Sequence, residues 1–258
     1  MTNRKMQIEQ LIKESIQKVP NWNQVAYIIS GLIELFKLTK EEVYLEKIEA
    51  SAKEAIAQKK PYEEMIVGAN SLLKLYELTG ENSYKEQIED LHQQLLTRAK
   101  SERNSFSYEE MYVTYPFYMT YETKFNKMNG YMDIYRQFLS ADAKADKSIQ
   151  DSIWFAMALI DTIEGMDEQI FYEYRTLMLL FKKTVIELLE DDHKTEPQKV
   201  AMSYLVLKGI RLNCLPERLL ANGVETFEKL ISLETEDMMY RGLVVLTYTE
   251  LLKLEKED

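Results

Sequence analysis

The stretch GLIELFKLTKEEVYLEKI at residues 31–48 returns in altered form as SLLKLYELTGENSYKEQI at residues 71–88. Leu32 and Leu72, Leu35 and Leu75, Phe36 and Tyr76, Leu38 and Leu78, Thr39 and Thr79, Tyr44 and Tyr84, and Ile48 and Ile88 align at a constant offset of 40 residues. A fixed period of this length marks a fold built by repeating one supersecondary unit. Each copy reads as an apolar helix, a turn at Thr-Lys or Thr-Gly, and an amphipathic helix. The Thr followed by acidic residues suits an N-cap, with carboxylates placed where the first-turn N–H groups and the macrodipole favour them.

Carried along the chain, the same periodicity predicts about twelve helices. Their approximate spans are 3–18, 23–38, 41–59, 63–78, 81–99, 108–125, 128–140, 149–164, 169–190, 197–212, 216–233 and 236–254. Every second one is apolar around most of its circumference: VAYIISGLIELF, MYVTYPFYMTY, IWFAMALIDTI, VAMSYLVLKGI and MYRGLVVLTYTELL. Helices of that kind must be buried. Their neighbours, such as YLEKIEASAKEAIAQ, are amphipathic with charged outer faces. Alternating buried and half-buried helices describe two concentric rings, an all-α (α/α)6 toroid of about six helical hairpins. No boundary interrupts it, so residues 1–258 are expected to form a single domain. The alternative is an open superhelix of tetratricopeptide type, but its period of roughly 34 residues and its Trp/Gly/Ala/Pro pattern are not met.

Composition agrees with a helical chain and excludes several functions. There are only 8 Gly and 5 Pro in 258 residues, and 46% of residues are hydrophobic, enough for a full core. The net charge of −11 comes with no basic cluster, which argues against nucleic acid as a partner. It also weighs against an anionic ligand unless a local basic pocket reverses the field. The single cysteine, Cys214, excludes an internal disulfide. The start MTNRKMQIEQ is polar, unlike a secretory signal, and no apolar stretch is long enough for a bilayer. A cytoplasmic protein without membrane association is expected; the oligomeric state stays open.

Several stretches resemble the unsaturated glucuronyl/rhamnogalacturonyl hydrolases of the six-hairpin glycosidase superfamily. Asn21-Trp22 followed by GLIELFKLT is similar to the family's Asn-Trp inner helix and its Gly-Leu-x-x-Leu run. GANSLLKLYELTGENSY (68–84), MYVTYPF (111–117), WFAMALID (154–161) and YLVLKGIRLNCL (204–215) resemble further family segments in the same order. The resemblance implies an (α/α)6 toroid and, in the active family, hydration of an unsaturated uronic acid. A carboxylic acid protonates the vinyl-ether double bond, then activates water as a base, giving a hemiketal that opens. The two family aspartates fall on Glu109 and near Glu63, so a carboxylate survives at both positions, one methylene longer. The pocket-building loops depart from the family. The Gly-Gly-Phe-Trp-His and Gln-Met-Trp segments shrink to ERNSFSY, the loop with a His-Gly-Trp-Asp run is reduced to SADAKADKSIQ, and Gln150 stands where the family has Arg. A kept scaffold with cut loops suggests reduced or lost chemistry.

Glu109 and Glu63 are thus the candidate catalytic residues, with first-turn helix acids as the plainer reading. Trp22, Tyr112 and Trp154 are candidate sugar platforms, against core packing for Trp154 in particular. Tyr108, Tyr112, Tyr115, Tyr118 and Tyr121 recur at spacings of three and four, so they share a helix face suited either to a cavity lining or to a core stripe. His92 is expected on the surface of an outer helix and His193 in a solvated acidic turn. Two isolated histidines and one cysteine make no metal set, and no phosphate-binding loop or dinucleotide fingerprint appears, so no metal or cofactor is expected. The expected ligand is an oligosaccharide, at the rim near Glu109, Tyr112 and Trp22. The rival reading is a non-catalytic toroid that binds a carbohydrate or a protein.

Overall fold

The computed structural model describes residues 22–101, 106–144, 146–167, 169–230 and 238–257, together with the helical Gln10, Ile12 and Glu14. The rest of the first expected helix, Asn21, and residues 231–237 lie outside the described residues. No strand occurs among those described. The helices are α1 (Trp22–Thr39), α2 (Glu42–Ala57), α3 (Tyr62–Met65), α4 (Ala69–Thr79), α5 (Asn82–Ser101), α6 (Tyr108–Phe125), α7 (Tyr131–Asp142), α8 (Ile149–Gly165), α9 (Phe171–Leu189), α10 (Glu196–Arg211), α11 (Leu220–Leu230) and α12 (Met238–Glu257).

Six of them close a ring. α1 packs on α4, α4 on α6, α6 on α8, α8 on α10, α10 on α12, and α12 back on α1. These are the helices the apolar pattern placed inside. In α8 a run from Ile153 to Ile160 is wholly buried, and in α10 every residue from Val200 to Ile210. Closure of α12 on α1 distinguishes the (α/α)6 toroid from an open superhelix. Helices α2, α5, α7, α9 and α11 lie outside, each burying one stripe.

The repeat has the same turn in both copies, although not as an N-cap. Thr39 and Thr79 end the inner helices. Each hydroxyl donates to the carbonyl four residues back, 2.9 Å to Leu35 and Leu75, and accepts from the N–H two residues on, at Glu41 and Glu81. The next residue is left-handed in both, Lys40 at φ 63° and Gly80 at φ 69°. Glycine suits that conformation without steric cost, so the second copy has the unstrained version of the turn.

Three expected boundaries shift. The helix expected over 63–78 is broken: α3 gives way to a 3-10 turn at Ile66–Gly68 before α4. Gly68 sits over the indole of Trp22, where a Cβ would lie 2.2 Å from Cζ2. The helix expected from 128 starts at Tyr131, because Lys127 and Met128 have φ of 51° and 63°. The helix expected from 216 opens with a 3-10 turn at Glu217–Leu219.

Candidate functional site

The inner helices all run the same way, since each hairpin returns the chain through the outer ring. Their N-termini therefore share one rim. Capping boxes define three of them: Ser107 with Glu110 on α6, Ser148 with Asp151 on α8, and Thr195 with Gln198 on α10. Each side-chain oxygen takes an N–H that lacks a helical partner, which holds the first turn rigid. In α6 the Glu110 carboxylate accepts from the Ser107 N–H at 2.7 Å, whereas its neighbour Glu109 lines a cavity at the rim.

At this rim a cavity of about 270 Å³ is lined by Tyr62, Glu63, Arg98, Phe106, Glu109 and Val113, among others. Glu63 and Glu109, 46 positions apart in the sequence, thus share one open cavity. α3 brings Glu63 in its first turn, α6 brings Glu109 in its own, and the outer helix α5 brings Arg98. Arg98 donates to Glu63 at 2.8 Å and lies 4.8 Å from the centre of the Tyr62 ring. The Glu63 side chain is 68% exposed, so this ion pair is a solvated one. Arg98 thus places a cation at this cavity in a protein of net charge −11.

Val67 and Val113 form a sill between this cavity and a smaller one of about 30 Å³ toward the axis. The inner space is edged by Ser30, Asn70, Ser71, Tyr112 and Asp161. The Asn70 Oδ1 finds no partner there among the described residues. Beyond it the ring is filled by ions. Asp161 accepts from the Tyr204 hydroxyl at 2.6 Å and Lys208 Nζ at 2.8 Å. Lys208 also meets Glu164 at 2.6 Å. Arg211 bridges Glu164 and Glu250, Lys253 bridges Glu250 and Glu34, and Glu34 meets Lys74 at 2.9 Å. Burial works to raise the Glu34 carboxyl pKa, but Lys74 and Lys253 outweigh it and hold it far below the usual range. Burial likewise opposes the charge on Lys208, yet Asp161 and Glu164 raise its pKa. Four carboxylates and four cations thus brace five of the six inner helices.

The aromatic candidates are packed. Trp22 is 2% exposed under Gly68, and its Nε1 finds no hydrogen-bond partner among the described residues. Tyr112 and Trp154 are buried and stack on each other at 5.3 Å. The tyrosine stripe of α6 likewise goes into packing: the Tyr108 hydroxyl donates to Ala141 O, and Tyr115 meets Phe138. Gln150 accepts from Gln198 at 3.1 Å across the rim.

His92 is not on the surface, as its place on an amphipathic outer helix suggested. It is buried, stacked 3.9 Å over Tyr121, with Nε2 2.8 Å from a Glu122 oxygen. Burial pushes the Glu122 pKa up, but His92, the Asn126 amide and the Gly130 N–H bring it below the usual value. His193 does sit in an exposed turn, its N–H bound to Asp191. Among the described residues no three His, Cys, Asp or Glu converge to hold a metal, and no helix is long and apolar enough to cross a membrane.

Arg98 and the axial ion chain were missed in the sequence for different reasons. Arg98 belongs to a charged outer helix and looks like any solvated cation. Lys208, Asp161 and Glu250 did leave a signal, as single charges inside apolar runs, because a buried helix tolerates a charge only beside its partner.

No family model and no curated protein matches the chain. Solved structures do. A glycoside hydrolase from family 105 of C. acetobutylicum aligns with a TM-score of 0.78 at 18% identity, covering 93% of this chain and 98% of that one. A glycosyl hydrolase family 88 protein from Bacteroides vulgatus aligns at 0.75 and 13%, over 98% and 99%. A polysaccharide lyase aligns at 0.69 and 13%, over 97% and 99%. At such identities the shared property is the fold, the six-hairpin toroid that the sequence resemblance implied. Hydrolases and a lyase on one scaffold mean that the reaction is decided by the site.

Proposed function

We propose that this toroid is a divergent relative of the unsaturated glucuronyl and rhamnogalacturonyl hydrolases of carbohydrate metabolism. In this reading it takes a short uronic-acid oligosaccharide at the N-terminal rim and has reduced or lost the family's chemistry. The observation that carries the proposal is the meeting of Glu63, Glu109 and Arg98 in one open cavity. Arg98 offers its planar fork to a sugar carboxylate, with Glu63 holding it in place. Glu109 is the acid to protonate the double bond and then to draw a proton from water at the adjoining carbon, after which the hemiketal opens. Of the aromatic candidates, Tyr112 lines the smaller adjoining cavity. Two features support reduced chemistry. The loops that would cover the cavity are short, so water is poorly excluded. Gln150 is neutral and spends its oxygen on Gln198.

Titration with an unsaturated uronyl disaccharide, combined with ultraviolet absorbance of its double bond, tests this reading. The expected outcome is a Kd on the order of 1 mM, weakened in Arg98→Ala, with loss of the double bond well below the ~1–10³ per second of ordinary enzymes. Turnover in that ordinary range, abolished by Glu109→Gln, would show that the chemistry is intact. Absence of binding would favour the second reading, a non-catalytic toroid, to which the ion-filled axis lends support.

A further inference from the structure

The rim cavity holds more negative than positive charge. Among the described residues that line it, Glu63, Glu109 and Glu110 are acidic and Arg98 is the one cation. Arg98 already meets Glu63 at 2.8 Å. The rest of the wall, with Ile66, Val67, Phe106 and Val113, is uncharged. The positive end of the α6 dipole does not redress the balance. Ser107 caps it, and Glu109 and Glu110 occupy its first turn. In the sequence, residues 102–105 before Phe106 hold one Glu and one Arg, so that segment is neutral in sum. One guanidinium fork matches one carboxylate. A uronyl group uses that capacity, and a second anion on the same ligand meets like charge instead.

We propose that this cavity selects oligosaccharides bearing a single anionic group, an unsaturated uronyl unit joined to a neutral sugar, and rejects those whose second sugar is sulfated. The inference rests on the reading of the cavity as a uronic-acid site and narrows its substrate class. The rejection acts through charge. The second sugar lies toward the mouth, where the Glu63 side chain is 68% exposed. In water, two like charges about 7 Å apart shift an equilibrium about threefold. An excess of two carboxylates over cations therefore predicts a preference of about sevenfold at low salt.

Calorimetric titration of the whole protein tests this, using an unsaturated uronyl-N-acetylhexosamine disaccharide and the same disaccharide with one sulfate on the hexosamine. At about 10 mM salt the unsulfated ligand should bind about sevenfold more tightly, and the gap should close at about 1 M, where screening reaches only ~3 Å. Glu110→Gln removes one charge and keeps the capping box, because Gln serves at that position as Glu does. It should narrow the low-salt gap to about threefold, with circular dichroism checking that the variant folds. Equal affinities at low salt, or tighter binding of the sulfated ligand, overturn the proposal. Binding of the unsulfated ligand that is weakened by Arg98→Ala would still uphold the uronic-acid reading in that case. A gap that survives 1 M salt or Glu110→Gln has another origin and overturns the proposal as well. Failure of both ligands to bind overturns the proposal and the reading together.

Discussion

Along the ring axis, the N-terminal rim and the C-terminal half treat charge in opposite ways. At the rim, Glu63, Glu109 and Arg98 face an open cavity, and the ion pair of Arg98 with Glu63 is solvated. Deeper in, Asp161, Glu164, Glu250 and Glu34 are each matched by Lys or Arg, and nothing is left for a ligand to displace. Water makes the difference. An exposed pair contributes little to stability and can exchange partners. A buried pair costs heavily to desolvate and is ruinous to break. One end of the toroid therefore carries solvated, exchangeable charge, while the other braces the ring.

The largest expected effect breaks the braced end. Lys208→Ala strands Asp161 without its cation, leaves Glu164 with Arg211 alone, and should cost about 3–5 kcal/mol in urea unfolding. A loss under 1 kcal/mol would mean that water already reaches this layer. Next comes the layer between the two ends. Gly68→Ala forces a methyl group against the Trp22 indole and should cost about 1–3 kcal/mol. Because Gly68 directly follows Ile66 and Val67 of the cavity wall, the substitution should also weaken ligand binding there; lost stability with intact binding would separate this packing from the site.

A smaller effect is visible in pH. The folded pKa of Glu122 lies below its ordinary value of 4.5, so its stabilisation is present above that value and disappears as acid titrates the folded carboxylate. The melting temperature should fall below pH 4.5, and Glu122→Gln should flatten part of that slope. An unchanged slope would mean that other carboxylates carry the acid sensitivity. The smallest stability change belongs to the open end. Arg98→Ala should alter unfolding by under about 1 kcal/mol, yet lower affinity for an unsaturated uronyl disaccharide about tenfold. A large stability loss there would make Arg98 a brace and erase the contrast.

The 40-residue repeat and the alternation of all-apolar with amphipathic helices determined, without coordinates, that the chain is all-α, how many hairpins it has and which helices lie inside. Those properties follow from local periodicity and from the cost of exposing apolar surface, both of which are written residue by residue. The resemblance marked Glu63 and Glu109 as a possible pair; the cavity they share is formed where neighbouring hairpins pack, with α4 against α6. Tertiary structure alone decided three things: that Arg98 on an outer helix reaches the rim, that His92 is buried beside Glu122, and that single charges in separate apolar helices join into one chain. Each rests on a partner more than 29 positions away, and the energy of a buried polar group lies in its partner rather than in its own sequence neighbourhood.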